Sequence, residues 1–286
     1  MLLLACSAST TVDGRDAEAL QVDATPAALA GAMKARRNVL LGEVHDNRRQ
    51  HELRWAALKE VLEAGGRPAL AFEQFDRDMQ GQIDRSRRDH PRDAEALIRA
   101  AGAKGWDMTL YRPYVQLALD YDLPIVAANL SRIDAMAVAS SGWEAVFDDR
   151  TRTALALDRL PAEFIEAHEQ AVARGHCNLL PATALLAMAR AQIARDIVLA
   201  KAIQPQLARG VVLLTGNGHA RRDIGVPVWL TADERRELTS IGIVEAGDEP
   251  DDLPQSVFDA LVVTPAAERP DPCESLRRRA LQTEPR

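Results

Sequence analysis

Two glutamates and two histidines stand in this sequence where polar side chains are least expected. Val39-Leu-Leu41 is an apolar run fit for a buried strand, and Gly42, Glu43, His45 and Asp46 follow it directly. The same order recurs far along the chain, where Val211-Val-Leu-Leu214 leads through Gly216 to His219. Both stretches read as an apolar strand, then Gly-x-x-His. Glu73 sits inside Ala69-Leu-Ala-Phe-Glu-Gln-Phe75, and a carboxylate buried in such a strand needs a charged or hydrogen-bonding partner. If Glu43, His45, Glu73 and His219 meet at one sheet edge, two chemistries are open to them. His45, His219 and Glu73 could hold a divalent metal ion with open positions for water. The same groups could work as an acid/base pair without metal. The structural alternative is that the glutamates cap loops or pair with Arg221 or Arg222.

A second group lies in Trp106-Asp-Met-Thr-Leu-Tyr-Arg-Pro-Tyr114. A tyrosinate from Tyr111 or Tyr114 can ligate ferric haem, and arginine pairs well with propionates. Equally, the rings can open an amphipathic helix and pack on the core. His168 and His176 flank a helix end near Cys177 and are further candidate ligands, or surface residues. The chain has no nucleophile elbow, phosphate loop or H-E-x-x-H motif.

The elements that must position these residues follow from periodicity. Strands are expected at 38–42, 69–75, 123–129, 211–216, 227–230, 241–245 and 258–264, with helices between them. Asn47 or Asp46 can cap the helix at 48–64, and Ser131 the one after the third strand. Alternating strands and helices predict an α/β fold: a mainly parallel sheet with helices on both faces. A block near 131–205 without strands reads as a helical insertion. In a parallel sheet the strand ends lie on one edge, the usual place for a site.

The 286 residues are 47% hydrophobic, enough for a large core in a single domain spanning 26–286. A net charge of −7 argues against nucleic acid as a partner. The start, Met1-Leu-Leu-Leu-Ala-Cys-Ser, reads as a truncated lipoprotein signal with Cys6 as the lipidated residue, and 7–25 reads as a small-residue linker. Cys177 and Cys273 then remain, either as one disulfide or as two buried thiols.

Leu40-Leu-Gly-Glu-Val-His-Asp-Asn47, Phe72-Glu-Gln-Phe75, Ala191-Gln-Ile-Ala-Arg-Asp196 and Gly216-Asn-Gly-His-Ala-Arg-Arg-Asp-Ile-Gly-Val-Pro227 together resemble the ChaN-like haem-binding lipoproteins. That family belongs to a wider group with the TIKI metalloproteases and erythromycin esterases. The likeness spans roughly 36–275. It implies a membrane-anchored protein of the bacterial cell envelope (periplasm or outer membrane) that handles haem and iron, with haem held at a homodimer interface. The TIKI branch implies a metal-dependent hydrolase using both Gly-x-x-His motifs and a glutamate. By motif match Glu43, His45, Glu73 and His219 carry over as the polar site. Tyr111, Tyr114 and His176 are the candidate haem ligands, and Arg221 and Arg222 the candidate propionate partners.

Overall fold

A computed structural model describes residues 18–247, 257–271, 273, 274 and 277. The strands are β1 (Leu20–Gln21), β2 (Asn38–Leu41), β3 (Ala69–Asp76), β4 (Ile125–Asn129), β5 (Val211–Leu214), β6 (Leu238–Glu245) and β7 (Ala260–Thr264). They form one sheet in the order β1-β7-β6-β2-β5-β3-β4, and every pairing is parallel. The expected α/β fold is present. β2 and β5, the two strands of the Gly-x-x-His motifs, are adjacent at the centre, with Leu41 opposite Leu214. The repeated motif therefore delivers two polar loops side by side. β3 pairs with the other side of β5 and brings Glu73 to the same edge.

The helices are α1 (Pro26–Met33), α2 (Arg48–Glu63), α3 (Gln80–Asp89), α4 (Ala94–Ala101), α5 (Met108–Asp120), α6 (Arg132–Ser141), α7 (Asp149–Ala154), α8 (Ala162–Gly175), α9 (Ala182–Ile203), α10 (Asn217–Ala220) and α11 (Ala232–Arg236). Strand side chains alternate between faces. Val39, Leu41, Leu70, Phe72, Val212 and Leu214 pack against α1–α5, while Leu40, Ala71 and Leu213 pack against the end of α9. The helical insertion is present as α6–α9, with its own cluster of Val138, Trp143, Phe147 and Ile193. Asn47 caps α2 by accepting from the Gln50 N–H at 3.1 Å, and Ser131 caps α6.

Three expectations change. Residues 227–230 form no strand; Val226–Trp229 is a turn of 3-10 helix, because Pro227 has no N–H to give a ladder. The strand at 258–264 starts at Ala260. Leu20–Gln21, within the expected linker, pairs with β7 at the sheet edge. Cys177 and Cys273 form a disulfide across 96 residues of sequence. The Cys6 segment lies outside the described residues. No helix among the described residues is long and apolar enough to cross a membrane.

Candidate functional site

Gly42 ends β2 because a side chain there would meet Asn217 and, at 2.8 Å, the Ile241 carbonyl. Asn217 fills that space: its Nδ2 donates to the Ile243 carbonyl at 2.6 Å, and its Oδ1 accepts from the Ile243 N–H at 2.9 Å. The amide thus continues the sheet where β2 stops and fixes both motif loops against β6.

Glu43, just beyond, is enclosed by protein. Arg54 of α2, also fully buried, pairs with its Oε2 and donates to the Leu41 carbonyl at 2.9 Å. Tyr111 of α5 donates its hydroxyl to Oε1 of the same carboxylate. That oxygen also lies 2.9 Å from His45 Nδ1. Since Glu43 accepts there, Nδ1 carries the proton, and Nε2 of neutral His45 keeps a lone pair. The ring packs edge-on against Trp106 and stands over Gly216, where a Cβ would come within 2.9 Å of Nε2.

On the adjoining strand ends, Glu73 Oε2 accepts from the Thr215 hydroxyl at 2.7 Å and the Gly216 N–H at 2.8 Å. Its Oε1 is 3.4 Å from His219 Nε2, and His219 Nδ1 is 2.6 Å from Asp196 Oδ1 on α9. Burial opposes a charge on His219, but Asp196 and Glu73 outweigh it and raise its pKa to about 10. Burial likewise opposes ionised Glu73, yet His219 holds its carboxyl well below the usual range. His219 is therefore a fixed imidazolium between two carboxylates, with both N–H groups used. Among the described residues, no group of three or more His, Cys, Asp and Glu is arranged to hold a metal ion.

The candidate haem residues are placed apart. Burial pushes both the Tyr111 and Tyr114 phenols up. Their hydroxyls are donated to Glu43 and, at 2.7 Å, to the His51 carbonyl. His176 sits at the end of α8, away from the tyrosines, with Nδ1 2.8 Å from the Val172 carbonyl. Arg221 pairs with Asp223 at 2.5 Å and Arg222 with Asp259 at 2.6 Å.

Between α2 and α5 two cavities adjoin, of about 370 Å³ and 480 Å³, sharing Arg48 and Leu110 in their walls. Trp55, Ala56, Pro113 and Tyr114 make the first strongly apolar; His45, Trp106 and Tyr111 line the second. His51 faces the apolar one. Its Nε2 lies 2.9 Å from the His45 carbonyl and so carries the proton, while buried Nδ1 has no hydrogen-bond partner. Burial lowers the pKa of His51, favouring that neutral form. Sequence reasoning missed Arg54 and His51 as site residues, although both are polar on the inner face of a helix that starts at the site.

A family model described as haem-binding uptake, Tiki superfamily, ChaN matches residues 29–230. The chain belongs to this family. Among solved structures, this ChaN family member is similar to one described as cofacial haem binding to ChaN of Campylobacter jejuni. That likeness has 17% identity and a TM-score of 0.63, and covers 82% of this chain and 89% of that one. It shows a shared fold. A variant of the erythromycin esterase EreC in its open conformation is 12% identical, with a TM-score of 0.44 over 76% of this chain and 72% of that one. Comparison with the curated proteins matches none of them.

Proposed function

We propose that this ChaN family member binds haem in the groove between α2 and α5. The observation that carries the reading is His51. A neutral imidazole with an unmatched ring nitrogen borders a strongly apolar cavity of ligand size. The fit extends to the walls, since Trp55, Leu110 and Pro113 give a macrocycle apolar surface to cover. Arg48, in the first turn of α2, makes no ion pair among the described residues and lies where propionates gain from a guanidinium and a helix N-terminus. Bound haem would supply an iron centre for carriage or uptake. The chain's own part is to cover the ring, offer a nitrogen and neutralise the propionates. Adding haem to the purified chain and following the Soret band tests the reading; saturation near one haem per chain supports it.

The finer expectations join this proposal. A pair of copies would meet over haem, by analogy with the cofacial binding described for the Campylobacter jejuni protein, and haem would raise the sedimentation coefficient. Lipidation at Cys6 would hold the chain at the cell envelope, which mass spectrometry of the membrane fraction checks.

A second reading has its own observation. Glu43 fixes His45 with Nε2 as a lone pair over Gly216. A base held in this way suits acid/base hydrolysis, with His45 taking a proton from water. Turnover of an ester or peptide that disappears in His45→Ala, with metal content measured on the same sample, decides it.

A further inference from the structure

A third cavity, of about 500 Å³, opens in the helical insertion between the end of α6 and the first half of α9. It shares no lining residue with the groove between α2 and α5. Its charged lining groups are Glu144, Asp158 and Arg190. The Arg190 guanidinium, on a half-buried residue of α9, makes no hydrogen bond or ion pair among the described residues. The Glu144 carboxylate, which is open to solvent, makes none either. It folds back over Gly142, where a Cβ would come within 2.8 Å of Oε2. That sets a negative charge against the C-terminal end of α6, whose last carbonyls are themselves partly negative. Arg152 bonds Asp149 at 2.7 Å and lies 3.8 Å from Asp158, so it is in contact with those carboxylates and not with Glu144. One cavity thus holds an unmatched carboxylate and an unmatched guanidinium that do not reach each other.

That pattern selects the occupant. A simple anion would satisfy Arg190 but meet Glu144, Asp158 and the end of α6. A simple cation would satisfy Glu144 and leave Arg190 without a counter-ion. A ligand carrying both charges matches both: its ammonium offers three N–H donors to Glu144, and its carboxylate accepts from the fork of Arg190. The wall between them is apolar, formed by Leu160, Ile165 and Leu186, with Trp143 and Leu157 behind, and it favours an alkyl group over a polar one. We infer that this cavity binds a zwitterion with an apolar side chain, an α-amino acid or a short peptide. Glu144 holds its ammonium and Arg190 its carboxylate.

Calorimetric titration of the full chain with L-leucine and with L-leucyl-L-leucine, at fixed ionic strength, tests the inference. The controls are 3-methylbutylamine, which is leucine without its carboxylate, and 4-methylpentanoate, which is leucine without its ammonium. Saturable binding of a zwitterion and of neither control is expected, and the tighter of the two zwitterions gives the length of the ligand. Arg190→Met and Glu144→Gln should each weaken binding about tenfold, the effect of losing a hydrogen bond between charged groups. Neither side chain holds another group in place, so both variants should melt like the native chain. Absence of saturable binding by either zwitterion, equal binding of a control, or an unchanged affinity in either variant would overturn the inference. None of these outcomes depends on haem, because the groove has separate walls.

Discussion

His219 donates from Nδ1 to Asp196 Oδ1 across 2.6 Å, which ties the second Gly-x-x-His motif to the long helix of the insertion. The raised pKa of His219, about 10, makes this tie pH-dependent. Between the ordinary histidine value near 6.5 and about 10, the folded chain holds a proton that the unfolded chain has lost. The contribution of His219 to stability is thus full below about pH 6.5 and is lost as pH rises through about 10. Urea unfolding at pH 6, 8 and 10 should show stability falling with pH. In His219→Gln that part of the slope should vanish; an identical slope in the variant rejects the assignment.

Glu43 and Arg54 are both fully enclosed, so either one alone is a buried charge without its partner. Arg54→Met should cost about 3–5 kcal/mol in urea unfolding. Combining it with Glu43→Gln should recover part of that loss, and the double-mutant cycle measures how much. Strict additivity of the two losses would mean the pair is not coupled.

Glycines separate by what surrounds them. A Cβ at Gly42 would press on Asn217 and on the Ile241 backbone, so Gly42→Ala should destabilise by about 1–3 kcal/mol. Gly31, inside α1, has nothing within 4 Å of the Cβ position, and Gly31→Ala should stabilise by about 0.5–1 kcal/mol. Thermal melts of the two proteins should move in opposite directions.

The disulfide between Cys177 and Cys273 closes a long loop and so restricts the unfolded chain. Cys177→Ser should cost about 2–5 kcal/mol, and reductant should lower the melting temperature of the native chain but not that of the variant.

Much of the fold was legible because its signals are local. The apolar runs at 39–41, 69–75 and 211–214 announce buried strands, and the duplicated Gly-x-x-His places His45 and His219 on neighbouring loops. Glu73 stood out as a charge in an apolar strand, and its partners are His219, Thr215 and Gly216. Pro227–Leu230 misled because an apolar tetrapeptide fits a strand or a turn equally well, and only the missing proline N–H argues against the sheet. Leu20–Gln21 was illegible because two residues at an edge carry no periodicity. Arg54 and His51 were hidden for a different reason. Their partners, Glu43 and the His45 carbonyl, are brought to them by the way α2 folds back along β2, and nothing in the spacing of α2 announces that. Tyr111 and Tyr114 were legible as aromatic anchors but not as donors to Glu43 and the His51 carbonyl.

Haem affinity of the groove is measured most directly by Soret titration of three proteins: the native chain, Trp55→Asp and His51→Phe. The native chain should saturate near one haem per chain. Trp55→Asp, which places a charge on the apolar wall, should weaken binding at least tenfold. His51→Phe should shift the Soret maximum, because it removes the imidazole from the groove wall. A native chain that shows no saturable band, or two variants that titrate like it, would contradict haem binding in this groove.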